Sequence, residues 1–118
     1  MKIKTAGLTG PALDWAVHKA KGRDIKLHMF WEYRTHNNML HYSTDWSQGG
    51  PILESEEIGI RRNAPCSTGR EWEAFGSITA KGAGYRWGYG PTPLVAAMRC
   101  YVASRLGEEV EIPDELIV

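Results

Sequence analysis

Apolar and polar positions follow more than one rhythm along this 118-residue chain, and the rhythm assigns the elements. The clearest is residues 92–106, TPLVAAMRCYVASRL. Leu94, Ala97, Met98, Tyr101 and Val102 recur at helical spacing and form a continuous apolar stripe. Thr92 suits the N-cap, Pro93 the first helical position, and Gly107 the stop. Residues 9–21 repeat the pattern, with Leu13, Ala16, Val17 and Ala20 on one face, Thr9 as N-cap, Pro11 in the first turn and Gly22 after the end.

Between these helices the rhythm changes. Over residues 24–33, Ile25, Leu27, Met29 and Trp31 alternate with Lys26, His28, Phe30 and Glu32, which predicts a strand with one buried face. Residues 34–51 lose periodicity and read as a long loop, with room for a short strand at Leu40–Tyr42; long ordered loops in small domains often carry function. In residues 52–62 the first half fits one helical turn and Glu57–Arg61 a strand. Residues 63–69 are a turn, 70–80 a further strand, and 81–91 a loop of glycines and aromatics. Val110–Ile112 is a short extended stretch before Pro113. The order α-β-loop-β-β-α predicts one α+β domain over residues 1–118, a small antiparallel sheet of three to four strands with two helices packed on it.

Composition narrows the class. Fourteen basic residues balance fourteen acidic ones, so the chain lacks the basic excess of a dedicated duplex-DNA binder. Cys66 in a loop and Cys100 in a helix make no disulfide framework and no metal-type spacing, and read as free thiols of a reducing cytoplasm. The first residues, MKIKTAGLTG, lack the apolar core of a signal peptide, and no apolar run reaches membrane-span length. Five Trp and five Tyr stand beside thirteen Gly. Flat rings with a polar handle, approached closely by glycine backbone, suit a pocket for a flat ligand; they equally suit a small core that needs bulky fillers.

No metalloprotease, nucleophile-elbow or phosphate-loop motif is present, so the sequence assigns no catalytic residue, metal or cofactor. His18 and His28 read as ordinary surface or satisfied histidines, whereas His36 or His41 with Asp45 would form a loop His–Asp pair able to act as a general base. The first binding candidate is Tyr42–Pro51. Thr44 and Asp45 can shape a turn, Trp46 and Tyr42 offer stacking faces, and the N–H groups of Gly49 and Gly50 can meet an anion; a tight turn anchored by a buried Trp explains it equally. The second is Gly88–Thr92, where the N-terminus of the last helix can dock a phosphate, or Thr92 simply caps it. Arg99, off the apolar stripe, can grip a phosphate, and Arg61, Arg62 and Arg86 are further cations near these loops. Trp15, after Asp14, either widens the buried face or reaches toward the loop. Glu54–Glu57 and Glu108–Glu109 read as solvated surface.

Several segments in order carry a family resemblance: Leu8–Val17 (LTGPALDWAV), Ser43–Ile52 (STDWSQGGPI), Glu71–Ala74 (EWEA), Thr92–Ser104 (TPLVAAMRCYVAS) and Leu106–Pro113 (LGEEVEIP). On these the chain resembles the NinX-like proteins of tailed phages and prophages, a family without an assigned activity. The resemblance implies a phage accessory protein in the bacterial host cytoplasm. Such proteins often counter host defence, and some of other families sequester nucleotide signals, an analogy of lifestyle and not of residues. The first expectation is a non-enzymatic binder of a nucleotide-derived signal, such as a cyclic ADP-ribose isomer or a cyclic oligonucleotide. Its candidate site is Trp15, Tyr42, Thr44, Asp45, Trp46, Gly49, Gly50, Thr92 and Arg99, and a homo-oligomer would help to form the pocket. The alternatives are a protein-interaction module anchored by Trp31, Tyr33 and Trp87, a nucleic-acid-binding accessory protein, disfavoured because the last helix offers only Arg99 and Arg105, and a small hydrolase using His36 or His41 with Asp45.

Overall fold

The computed structural model describes residues 1–64, 68–76 and 87–117. Among these the fold is mixed α+β, with four helices and two antiparallel sheets. In chain order the elements are β1 (Lys2–Lys4), α1 (Gly10–Ala20), α2 (Leu27–His36), α3 (Trp46–Ser55), β2 (Gly59–Arg62), β3 (Trp72–Phe75), β4 (Trp87–Gly90), α4 (Pro93–Leu106) and β5 (Glu109–Glu111). Short 3₁₀ turns at Thr5–Gly7 and Asp114–Leu116 flank the two-stranded sheet, in which β1 pairs with β5. The larger sheet runs β2-β3-β4.

The last helix is the centre of the molecule. Thr92 Oγ1 accepts from Val95 N at 3.1 Å, and Gly107 closes the helix at φ 91°. Its buried set, Leu94–Met98 and Cys100–Val102, is wider than the expected stripe, because α4 packs on all three strands of the larger sheet and also on α1 and α3. The second expected sheet helix, α1, packs on α4. The contact with β4 is backbone to backbone. A Cβ on Gly88 would run into the Ala96 carbonyl and lie 2.6 Å from Cys100 N, and one on Gly90 would lie 2.9 Å from Val95 Cγ1. Period two then assigns the sheet's faces: Ile60, Ala74, Gly88 and Gly90 lie on the α4 side, and Arg61, Glu73, Phe75, Trp87 and Tyr89 on the other.

Four expectations are corrected. The strand expected at 24–33 is the helix α2, and the residue it buries is Phe30, placed by the alternation on the polar side, while Met29 and Trp31 are exposed. The loop expected at 34–51 ends at Asp45, where α3 begins, and the short strand at Leu40–Tyr42 is irregular chain, with Asn38 and Leu40 at φ 50° and 63°. The glycine-aromatic loop expected to run to Pro91 contains β4. The β1–β5 pair extends the short stretch expected at Val110–Ile112 into a second sheet. Cys66, Arg86 and the expected continuation of the third strand through residues 77–80 lie outside the described residues. Among the described residues no helix is long and apolar enough to cross a membrane.

Candidate functional site

The segment between α2 and α3 is fastened to α1 by a buried ion pair. Asp14 is 1% exposed. Its Oδ2 accepts from Arg34 Nη1 at 2.6 Å and its Oδ1 from Ser43 N at 2.8 Å. The same Arg34 Nη1 donates to the Leu40 carbonyl at 2.7 Å. Gln48 completes the clasp, accepting from His41 N at 2.7 Å and donating to the Asn38 carbonyl at 2.8 Å.

This clasp gives many of the sequence-selected residues a structural duty. Asp45 caps α3, its Oδ1 accepting from Ser47 Oγ at 2.7 Å and Ser47 N at 2.9 Å, and these bonds hold its carboxyl below the usual range. The Nε2 of His41 lies 3.3 Å from the Arg34 carbonyl, and exposed His36 lies 3.9 Å from Glu32. Gly49 sits inside α3, its N–H donating to the Asp45 carbonyl at 2.9 Å, and a Cβ there would run into the Tyr42 carbonyl and the Leu94 side chain. Gly50 follows in the same helix, under the Trp46 ring. Thr44 is exposed and Trp46 is 49% exposed in the first turn of α3. Trp15 packs edge-on to Phe30 at 5.3 Å, with its Nε1 buried and unpartnered among the described residues. Buried Tyr42 bonds His18 Nδ1 through its hydroxyl at 3.0 Å, and Lys21 Nζ lies 5.1 Å from its ring centre. Burial pushes the Tyr42 hydroxyl up and the His18 imidazole down. Tyr42, Lys21, Asn38 and Gln48 border a shallow cavity of about 350 Å3.

A larger groove, about 1110 Å3, runs between β4, α4 and the chain around β1 and β5. It is lined by Lys4, Thr5 and Ala6, by Gly69, Arg70, Trp87, Gly88 and Tyr89, by Arg99 and Ala103 of α4, and by Glu108 and Glu109. Three cations therefore meet two carboxylates and two aromatic rings. Arg99 is a strut: its Nε donates to the Leu8 carbonyl at 2.8 Å and its Nη1 to the Tyr89 carbonyl at 2.7 Å. Burial draws its guanidinium below the ordinary value, and among the described residues no carboxylate pairs with it. Arg70 lies over Tyr89, its guanidinium carbon 4.1 Å from the ring centre.

Of the nine sequence-selected residues Arg99 lines this groove and Tyr42 the smaller cavity. The second selected segment, Gly88–Thr92, reaches the groove through Gly88 and Tyr89, while Thr92 caps α4. Lys4 and Arg70 were missed because nothing local marks them; they join Arg99 only through the packing of α4 against β4 and against the chain that follows β1.

No curated protein matches the chain. Residues 4–105 match the family described as Bacteriophage P22, NinX, a span that contains every groove residue except Glu108 and Glu109. With that match over most of its length, the chain belongs to the phage P22 NinX family.

Proposed function

We propose that the protein is a non-enzymatic binder that holds a nucleotide-derived defence signal, a cyclic ADP-ribose isomer or a cyclic oligonucleotide, in the groove beside β4 and so withdraws it from the host cytoplasm. The observation that supports this reading best is the convergence of Lys4, Arg70 and Arg99, from three distant parts of the chain, on one groove with Trp87 and Tyr89. Cations bind phosphates by short charge-assisted bonds. A ring face adds about 1–3 kcal/mol per stacked base. The volume of about 1110 Å3 lies just above the range of ordinary ligand pockets, roughly 300–1,000 Å3, and so leaves room for a ligand larger than one nucleotide. Arg99 is already fixed by two carbonyls, which lowers the entropy lost on binding.

The test is to express the protein with and without a signal-producing defence enzyme, release bound material by heat and weigh it by mass spectrometry. Titration calorimetry with a panel of cyclic nucleotides follows. The expected result is an intact signal in near-stoichiometric amount, with Lys4→Ala and Arg70→Ala each weakening binding about tenfold. Trp46→Ala reports whether the base stacks on α3 instead. An empty protein that binds nothing in the panel rejects the proposal. The same sample on a sizing column tests the homo-oligomer that would help to enclose the groove.

A second reading has one observation in its favour. Trp31 stands 40% exposed on α2, a large ring suited to anchoring a host protein. Capture of a host factor that Trp31→Ala abolishes, with no small molecule required, would favour it.

A further inference from the structure

The face of the β2-β3-β4 sheet turned away from α4 carries three aromatic rings, of which Trp87 is exposed and Phe75 and Tyr89 are half-buried. Phe75 and Trp87 stand directly opposite each other in register, with ring centres 5.6 Å apart, and Tyr89 follows on the same face two residues along β4. Trp87 is 42% exposed and the side chain of Arg61 62% exposed. Burial in the core therefore does not explain the large flat side chain of Trp87.

The cations on this face are arranged around those rings. The Arg61 guanidinium carbon is 5.5 Å from the Phe75 centre and 6.0 Å from that of Trp87, and Arg70 covers Tyr89. Buried Glu73 pairs with Arg61 and holds it in place. Planar cations beside flat rings are the two elements that single-stranded nucleic acid needs. Each base has a π-face to stack, and each phosphate needs a positive charge within reach.

We propose that this face, uncovered at Trp87 and Arg61 among the described residues, is a stacking platform for single-stranded nucleic acid, with Phe75, Trp87 and Tyr89 as rings and Arg61 and Arg70 as cations. The inference goes beyond the groove as a nucleotide pocket. A small cyclic ligand needs only the groove, whereas the platform adds consecutive stacking positions outside it, at Phe75 and Arg61. Successive ring positions on β4 lie roughly 7 Å apart along the strand, so two or more bases can lie side by side. Binding is by backbone charge and stacking, without base-edge contacts, and is therefore tolerant of sequence.

The test is fluorescence anisotropy of labelled oligothymidine and oligouridine, titrated with the full chain at several salt concentrations. The expected results are quenching of tryptophan emission, weak competition by a duplex, and a log–log salt slope of about −1.4 for two phosphates contacted. Phe75→Leu keeps an apolar filler and removes the flat face, and Arg61→Gln removes one charge. Each should weaken oligonucleotide binding about tenfold, while leaving the groove's titration with cyclic nucleotides unchanged. Circular dichroism and the thermal midpoint confirm that both variants are folded. A preference for oligouridine or oligothymidine identifies which nucleic acid the face takes. No binding at low salt, binding indifferent to both folded variants, or equal binding of duplex overturns the platform. If cyclic nucleotides still bind, the groove proposal survives that failure; if they also fail, both fall.

Discussion

Replacing Asp14 by alanine removes the carboxylate that ties α1, α2 and the segment before α3 together. Arg34, whose side chain is only 14% exposed, would keep its bond to the Leu40 carbonyl but lose its counter-charge, and Ser43 N would lose its acceptor. Breaking a buried ion pair by removing one partner costs about 3–5 kcal/mol. Arg34 reaches some water, which favours the lower part of that range, and the orphaned Ser43 N–H adds about 1 kcal/mol. The expected loss is therefore about 4 kcal/mol, a large share of the roughly 5–15 kcal/mol available to a domain. Urea unfolding followed by circular dichroism measures it. With a slope near 2 kcal/mol per molar, the midpoint should fall by about 2 M with little change in slope. Asp14→Asn keeps an acceptor for Ser43 N without the charge and should lose less. Asp14→Leu combined with Arg34→Met should cost less than the two singles added, by about 1 kcal/mol or more, because neither charge is left orphaned. An Asp14→Ala loss below about 1 kcal/mol, or strict additivity in the double variant, would show that the ion pair does not hold this segment.

Three further predictions concern other parts of the molecule. Gly88→Ala forces a methyl onto the backbone of α4 and should destabilise by about 1–3 kcal/mol in the same urea assay. Burial pushes the Cys100 thiol up to about 11, so alkylation in neutral buffer followed by peptide mapping should leave Cys100 unlabelled until the chain unfolds. That raised value also means that stability held below the thiol's ordinary 9.0 is lost as pH rises toward about 11. The His18 imidazole is drawn below 6.5, first by burial and then by Lys21 and Arg23, so the unfolded chain takes up the proton first as pH falls. Stability should therefore drop below that ordinary value, and His18→Gln should flatten the drop in unfolding free energy measured between about pH 7 and pH 5.

What was legible in the sequence follows from where the folding information sits. α1 and α4 are announced locally, by caps, proline in the first turn and a wide apolar face, and their spans were close. α2 was misread because Phe30 is its single fully buried residue, too few to set a helical period, while its neighbours happen to alternate. α3 contains Gly49, Gly50 and Pro51, which propensity places in a turn; it exists because Asp45 caps it and Gly49 lets it lie against the Tyr42 carbonyl and Leu94. β4 was hidden for a related reason, since its glycines are demanded by the backbone of α4 and not by a loop. The groove was legible only at Arg99 and at the segment that holds Tyr89. Its remaining cations converge through contacts between residues far apart in the chain, which no local pattern encodes.

The strut made by Arg99 also bears on the outer edge of the β2-β3-β4 sheet. In the β2-β3-β4 sheet β2 and β4 are the outer strands, and an outer strand is where another chain could pair. On the β4 side the Tyr89 carbonyl already receives the Arg99 guanidinium, so an incoming strand would have to displace a charged donor to use that acceptor. On the β2 side two consecutive arginines, Arg61 and Arg62, bring charge to the border, and a second copy aligned edge to edge would bring its own. Both outer strands thereby carry charge that opposes the addition of a further strand.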